Sequence, residues 1–249
     1  ELTPTMKVKR KVITEKYKLL IDSLYAGPGE GGSPPPPSRL DDVRFEAAAG
    51  GAPPGRSKGV VLLIHGRGAT AESILPLGEV LAFPDLTYLA PQAEGYTWYP
   101  QSFMAPTAAN EPFLSQSLRR ITGIIADILV SGTIPERLAV IGFSQGACLA
   151  AETVLRNPRP YGFIGILSGG AIGPPGTSRD YAGSLAGACV FLGCSDHDPH
   201  IPLARVKEST VAFGRMGAQV TERIYPGSSH GINDDEITSL RAGLAPLAA

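Results

Sequence analysis

The sequence is short of cysteine, of net charge and of long apolar runs. Its three cysteines are too few for a dense disulfide framework. The formal net charge of -1 at pH 7 gives no overall electrostatic attraction to nucleic acid or acidic lipid. No run approaches the roughly 18 consecutive apolar residues of a membrane-spanning helix. We therefore expect no nucleic-acid partner and no membrane span.

The three cysteines, Cys148, Cys189 and Cys194, cannot all pair within the chain. Each lies in an apolar or motif segment, which predicts reduced, buried thiols and a cytoplasmic protein. The apolar stretch Leu19–Leu24 is interrupted by Asp22 and is too short for the core of a signal peptide. Because the chain begins at Glu1 and not at methionine, a removed leader is left open.

Composition divides the chain into three parts. Residues 1–26 are predicted to form a basic N-terminal extension, since the first 20 residues hold six Lys or Arg against two Glu. This extension fits a loosely attached segment, a docking amphipathic helix or, over Lys7–Thr14, a strand. Residues 27–37, with four consecutive prolines, resemble a linker. Residues 38–249 are long enough, and apolar enough, for one large domain.

From Leu40 onward, short apolar runs alternate with amphipathic segments, which predicts a mainly parallel sheet covered by helices on both faces. The predicted strands are Val43–Ala47, Val60–Ile64, Leu86–Ala90, Leu138–Gly142, Phe163–Ser168, Ala188–Gly193 and Val220–Tyr225. The predicted helices are Ala71–Ala82, Glu111–Val130, Gln145–Arg156, Pro202–Met216 and Asp234–Leu247, the second of them capped by Asn110. Ligands of such folds bind beyond the carboxyl ends of the strands.

A G-x-S-x-G unit at Gly142–Gly146 lies between an apolar run and a run of small residues. A strand that turns sharply into a helix at such a unit lifts its serine above the sheet, near the positive end of the helix. Ser144 is therefore the predicted nucleophile.

A serine nucleophile needs a base, and the base needs an orienting acid. His230 lies in a loop of small residues after the last predicted strand and is the predicted base. Asp196 and Asp198 follow an earlier strand and compete for the acid role; Pro199 and Pro202 stiffen the chain around Asp198, which favours it. The chain order Ser144, Asp198, His230 matches a triad assembled from successive strand ends.

Two backbone amides are predicted to bind the oxyanion of the tetrahedral intermediate. Gln145 follows the nucleophile at the helix start, and Arg67 lies in the loop His65–Ala69 after an early strand. The guanidinium of Arg67 is expected either to be solvated or to attract an anionic substrate. His65 is expected to be structural and to hydrogen-bond the loop.

Five motifs resemble the bacterial carboxylesterase/phospholipase family related to acyl-protein thioesterases, over roughly residue 58 to the C-terminus. They are Leu62-Leu-Ile-His-Gly-Arg-Gly-Ala-Thr70, Gly142-Phe-Ser-Gln-Gly-Ala147, Leu167-Ser-Gly-Gly170, Asp198-Pro-x-Ile-Pro202 and Gly227-x-x-His-Gly231. The resemblance implies a single-domain α/β-hydrolase with little or no lid. It implies the triad and oxyanion residues named above, hydrolysis of carboxylic esters or thioesters with no metal or organic cofactor, and a homodimer as a common assembly.

The family loop often has an apolar residue at the position of Arg67, and the segment Thr97–Phe103 is richer in polar and aromatic residues than a lipid groove requires. These departures favour small or short-acyl esters as substrates. The predicted walls of the substrate pocket are Trp98, Tyr99, Phe103 and Met104, although this loop could instead pack its aromatic residues on its own domain.

The sequence thus predicts a serine carboxylesterase. One alternative is a thioesterase or lysophospholipase that acts on longer acyl chains. An alternative of a different class is a non-catalytic binding module on a hydrolase fold, with the basic N-terminal extension as its interaction element.

Overall fold

The described part of the chain contains a seven-stranded sheet. The structure, a computed structural model, describes residues 47–249. The strands are β1 (Ala48–Gly51), β2 (Gly59–Ile64), β3 (Leu86–Ala90), β4 (Leu138–Phe143), β5 (Phe163–Leu167), β6 (Cys189–Ser195) and β7 (Gln219–Tyr225). Their order is β1-β3-β2-β4-β5-β6-β7; β1 is antiparallel to β3, and the other neighbouring strands are parallel.

Helices cover both faces of the sheet. They are α1 (Ala71–Ile74), α2 (Pro76–Leu81), α3 (Phe113–Val130), α4 (Gln145–Arg156), α5 (Leu203–Arg215) and α6 (Asp234–Ala248). Helices α3, α4 and α5 pack on one face, while α1, α2 and α6 pack on the other. Every residue of β2 is buried, as expected for a parallel strand with helices above and below it. The prediction of a mainly parallel sheet between two helical layers is confirmed.

Six predicted strands correspond to β2–β7, with ends that differ by at most two residues. The predicted strand Val43–Ala47 lies outside the described residues except for Ala47, and so do the predicted extension and linker over residues 1–37. The single helix predicted over Ala71–Ala82 is two helices, α1 and α2, because Pro76 has no backbone N–H to continue the first one.

The predicted N-cap of α3 is wrong. The helix begins at Phe113 after Pro112, and Asn110 belongs to a preceding 3-10 turn. The buried Asn110 side chain accepts a hydrogen bond from the Gln101 backbone N–H (2.7 Å) and donates one to the Ser102 carbonyl (3.0 Å). Asn110 therefore secures the loop around residues 101–102 instead of capping a helix.

The three cysteines are free thiols, as predicted, but only Cys148 and Cys194 are buried. Cys189 is exposed because it lies at the first position of β6, where the strand emerges from the core. No helix within residues 47–249 has both the length and the apolar character needed to cross a bilayer.

A buried carboxyl group lies at the start of α6. Glu236 forms a capping box with Asn233: one carboxylate oxygen accepts from the Asn233 N–H, while the Asn233 side chain accepts from the Glu236 N–H. The other oxygen, Oε1, lies against Gly193 of β6 and has no hydrogen-bond partner among the described residues. Burial raises the pKa of Glu236 to about 7, although the hydrogen bond from Asn233 opposes this rise.

We expect Glu236→Gln to become more stable relative to the parent protein as the pH rises. An unfolded glutamate releases its proton at about pH 4.3, whereas folded Glu236 holds it to about pH 7, so the ionised form destabilises the folded state at higher pH. The difference in free energy of unfolding between variant and parent should shift in favour of the variant by on the order of 2 kcal/mol from pH 5 to pH 8.

Urea unfolding at a series of pH values measures this difference. The titrations of other groups, including Asp198 and His65, are present in both proteins and largely cancel. Parallel stability curves for variant and parent would show that Glu236 does not titrate in this range.

Candidate active site

Ser144 occupies a sharp turn between β4 and α4. Its backbone has φ 55° and ψ −121°, a strained conformation for a residue with a side chain. A Cβ atom added at Gly142 would lie 2.4 Å from the Gly146 carbonyl oxygen, and one added at Gly146 would lie 2.1 Å from the Ile64 carbonyl oxygen. Only glycine fits at both positions. Because these two residues have no side chain, β4 and α4 can approach each other and β2 closely beside Ser144.

Ser144, His230 and Asp198 form a continuous hydrogen-bonded chain. His230 lies in the loop between β7 and α6, and Asp198 lies in the loop between β6 and α5. The distance from Ser144 Oγ to His230 Nε2 is 2.9 Å, and that from His230 Nδ1 to Asp198 Oδ2 is 2.7 Å. Because β4, β6 and β7 are parallel, their carboxyl ends meet at one edge of the sheet and bring these three residues together.

The Asp198 carboxylate is buried, and both of its oxygen atoms accept hydrogen bonds. Its second oxygen accepts hydrogen bonds from the backbone N–H groups of His200 (2.8 Å) and Ile201 (3.0 Å). Burial raises the pKa of this carboxyl group, but the hydrogen bonds from His230, His200 and Ile201 outweigh that effect and hold the pKa below its ordinary value. Asp198 is thus held as an anion facing the imidazole.

The Asp196 carboxylate has other partners than His230. Its Oδ1 atom accepts from the Gly227 backbone N–H at 2.8 Å and lies 2.7 Å from the Nδ1 atom of the exposed His197 ring. The contact with Gly227 links the loop after β6 to the loop that carries His230. Of the two aspartates that compete for the acid role, only Asp198 is hydrogen-bonded to His230.

The two predicted oxyanion donors lie beside Ser144. Within residues 47–249, the backbone N–H groups of Arg67 and Gln145 donate no hydrogen bond, whereas the Ser144 N–H donates to the Leu167 carbonyl at 2.9 Å. A Cβ atom added at Gly66 would lie 3.3 Å from Ser144 Cβ, so the loop after β2 passes directly against the serine. Two free amide donors at the serine fit a developing oxyanion.

His65 is a structural residue of that loop. Its Nδ1 atom lies 2.8 Å from the Gly66 carbonyl and therefore carries the proton, while Nε2 accepts from the Ala93 N–H at 3.1 Å. Burial lowers the pKa of His65, against the opposing hydrogen bond to Gly66, which favours a neutral ring. Both ring nitrogens are occupied in holding neighbouring loops.

A cleft of about 600 Å³ opens in front of Ser144. Of the four predicted pocket residues, Tyr99 and Phe103 line the cleft, and Trp98 and Met104 do not. Trp98 is buried because its indole N–H donates to the His65 carbonyl at 2.8 Å, and Met104 packs against the main core. The full lining is Gly66, Arg67, Ala69, Tyr99, Pro100, Gln101, Ser102, Phe103, Phe143, Ser144, Gln145, Cys148, His200, Ile201 and His230.

Comparison with known proteins gives the family. A sequence profile of the phospholipase/carboxylesterase family matches residues 51–246, which is most of the chain. The chain belongs to this family. The match includes Arg67, Ser144, Gln145, Asp198 and His230, and it confirms the resemblance seen in the five motifs.

Related structures confirm the α/β-hydrolase fold. A phospholipase/carboxylesterase from Dyadobacter fermentans is 38% identical with a TM-score of 0.77, and the match covers 81% of this chain and 97% of that one. Esterase PE8 is 27% identical with a TM-score of 0.69, covering 82% of this chain and all of the other.

Curated relatives include acyl-protein thioesterases. Acyl-protein thioesterase 1 of Kluyveromyces lactis is 25% identical over 208 residues, covering 74% of this chain and 90% of the relative. The Saccharomyces cerevisiae protein of the same name is 30% identical over 126 residues, and this match spans only 56% of its length.

The sequence analysis did not predict that two further residues, His200 and Cys148, line the cleft. His200 lies with its ring centroid 4.7 Å from that of His230 in an edge-on arrangement, and only its position in the Asp198-Pro-x-Ile-Pro202 motif could have indicated this contact. Cys148 lines the cleft floor, where burial raises the pKa of its thiol to about 12. A thiol that keeps its proton is a poor nucleophile.

Proposed function

We propose that this member of the phospholipase/carboxylesterase family is a serine carboxylic-ester hydrolase with Ser144, His230 and Asp198 as its catalytic triad. The observation that carries the proposal is the hydrogen-bonded chain from Ser144 Oγ through the imidazole to the buried Asp198 carboxylate, at 2.9 and 2.7 Å. The serine lies on a strained turn at the mouth of a cleft, as expected of an activated nucleophile.

In the proposed reaction, Ser144 Oγ attacks the ester carbonyl carbon as His230 Nε2 accepts the hydroxyl proton. The tetrahedral intermediate collapses when the imidazolium returns that proton to the leaving alcohol, which leaves an acyl group on Ser144. His230 then takes a proton from water, whose oxygen attacks the acyl carbonyl carbon. The second tetrahedral intermediate releases the carboxylic acid as the imidazolium returns the proton to Ser144 Oγ, which restores the free serine. Asp198 holds the imidazole in the required tautomer and stabilises its charged form in both steps.

The N–H groups of Arg67 and Gln145 are proposed to bind the oxyanion. Their lack of hydrogen-bond partners within residues 47–249 supports this role, because donors aimed at developing charge act best when they need no rearrangement. The Gln145 N–H lies at the start of α4, where the helix dipole also favours negative charge.

The cleft supports small or short-acyl esters as substrates. Polar side chains from Gln101, Ser102 and His200 share the lining with Tyr99 and Phe103, so a long alkyl chain would find only part of an apolar wall. With Trp98 packed into the core, the apolar surface available to an acyl chain is smaller than the sequence suggests.

We expect kcat/KM for p-nitrophenyl esters to be highest for acetate or butyrate and to stay level or fall for longer chains. An apolar channel would add about 0.8 kcal/mol per buried methylene, which corresponds to a roughly fourfold rise in kcat/KM for each one. Initial rates across the C2 to C12 series, measured below the solubility limit of each ester, distinguish the two cases. A maximum at C8 or longer would support the alternative of a thioesterase or lysophospholipase that acts on longer acyl chains. A folded protein that hydrolyses none of these esters and resists fluorophosphonate labelling would instead indicate a binding module.

A further inference from the structure

The guanidinium of Arg67 is neither freely solvated nor free to attract a substrate. Its two terminal nitrogens donate to three consecutive carbonyl oxygens, those of Tyr99 (3.0 Å), Pro100 (2.9 Å) and Gln101 (2.8 Å). The planar fork of arginine suits such a set of acceptors, whereas the single ammonium of lysine reaches fewer of them in fixed geometry. The side chain therefore joins the loop after β2 to the wall of the cleft.

The side chain of Gln145 hydrogen-bonds to the same segment. Its Nε2 atom donates to the Tyr99 carbonyl at 2.8 Å, and its Oε1 atom accepts from the Trp98 backbone N–H at 3.0 Å. The Tyr99 carbonyl oxygen is thus a shared acceptor for the side chains of Arg67 and Gln145.

These two residues are the ones whose backbone N–H groups are proposed to bind the oxyanion, yet they come from different loops. Arg67 follows β2 and Gln145 begins α4. We propose that the segment Thr97–Gln101, which we call the tie segment, fixes the spacing of the two oxyanion donors by holding both side chains at the Tyr99 carbonyl. Arg67 and Gln145 are thereby positioning residues through their side chains, in addition to the role of their backbones.

Further contacts strengthen this assignment. The Gly68 backbone N–H donates to the Tyr96 carbonyl at 2.7 Å, directly next to the tie segment. The Thr97 hydroxyl lies 3.2 Å from both the Oε1 and the Nε2 atoms of Gln145. A hydrogen bond from a charged donor is roughly twice as strong as a neutral one, so the Arg67 contacts are the largest contribution to this link.

The inference rests on the proposed function, and it predicts a specific kinetic defect in Arg67→Met. This variant keeps the backbone amide and the bulk of the stem but loses all three carbonyl contacts. We expect kcat for p-nitrophenyl acetate to fall by roughly 10- to 100-fold, since misplacing an oxyanion donor weakens binding of the transition state, with KM changed by less than about threefold. Arg67→Lys should give an intermediate kcat.

Arg137→Met is the matched control. Arg137 also donates to three backbone carbonyls, those of Pro246, Leu247 and Ala249, but these belong to the C-terminal end of the chain and not to the cleft. Its kcat should stay within about twofold of the parent value. An equal loss of kcat in both arginine variants would show that the effect is general destabilisation, and the inference would be overturned.

The double variant tests the shared acceptor. Gln145→Leu, which keeps its backbone amide, should also lower kcat, and Arg67→Met combined with Gln145→Leu should lose clearly less than the product of the two single losses. Multiplicative losses, or an Arg67→Lys variant with the full parent kcat, would overturn the inference.

If Arg67→Met does not fold, the kcat of Gln145→Leu and of Arg67→Lys decides. The proposed function fails separately, if hydrolysis survives loss of the Ser144 hydroxyl.

Discussion

Ser144→Ala is expected to lose ester hydrolysis by a factor of about 10⁵ or more in kcat, because Ser144 carries the hydroxyl that is hydrogen-bonded to His230, the proposed base. The hydroxyl lies 2.9 Å from His230 Nε2, and the neighbouring Cys148 thiol keeps its proton at neutral pH. The fold should survive, since Ser144 holds the turn through its backbone N–H to the Leu167 carbonyl. Steady-state hydrolysis of p-nitrophenyl acetate measures the loss, and circular dichroism checks the fold.

The control for this variant is Ser178→Ala. Ser178 is exposed, and its hydroxyl donates to the nearby Asp180 carboxylate, so its removal should leave kcat unchanged. If Ser144→Ala keeps more than about a hundredth of the parent kcat, the nucleophile is another residue.

The second large effect is expected for Asp198→Asn, with kcat reduced by on the order of 10⁴-fold and KM little changed. The carboxylate accepts from His230 Nδ1 on one side and from the His200 and Ile201 amides on the other. An asparagine has only one acceptor oxygen. If that oxygen stays on the two backbone amides, its NH₂ group faces Nδ1 and forces the wrong imidazole tautomer, with Nε2 protonated and unable to act as the base.

Asp196→Asn is the matched control, two residues away in the same loop. Its side chain accepts from the exposed His197 ring and from the Gly227 N–H, and an asparagine oxygen can still accept from Gly227. We expect a loss of less than about tenfold in kcat. Equal losses in the two variants would mean that the loop as a whole, and not a specific carboxylate, supports His230.

The strands and the chain order of the proposed triad were predictable because both depend on local patterns. Strands buried on both faces must be continuously apolar, and the glycines around Ser144 are required by carbonyl oxygens closer than any Cβ allows. Parallel strands then place the loops of Asp198 and His230 at the same edge of the sheet.

Features that depend on long-range contacts were not predictable in the same way. Nothing near Arg67 in sequence indicates that three carbonyls more than 30 residues away accept its hydrogen bonds. Trp98 was expected in the pocket, but its indole N–H finds a partner at the His65 carbonyl, and this packs the ring into the core. The pattern places aromatic residues in a loop; only tertiary packing decides which of them face the cleft.

Mass spectrometry of the protein after reaction with a fluorophosphonate tests the central claim most directly. The proposed mechanism predicts a single adduct on the peptide that contains Ser144, formed together with loss of ester hydrolysis and absent from His230→Ala or Ser144→Ala. An adduct on another residue, or full ester hydrolysis in protein whose Ser144 is completely labelled, would contradict it.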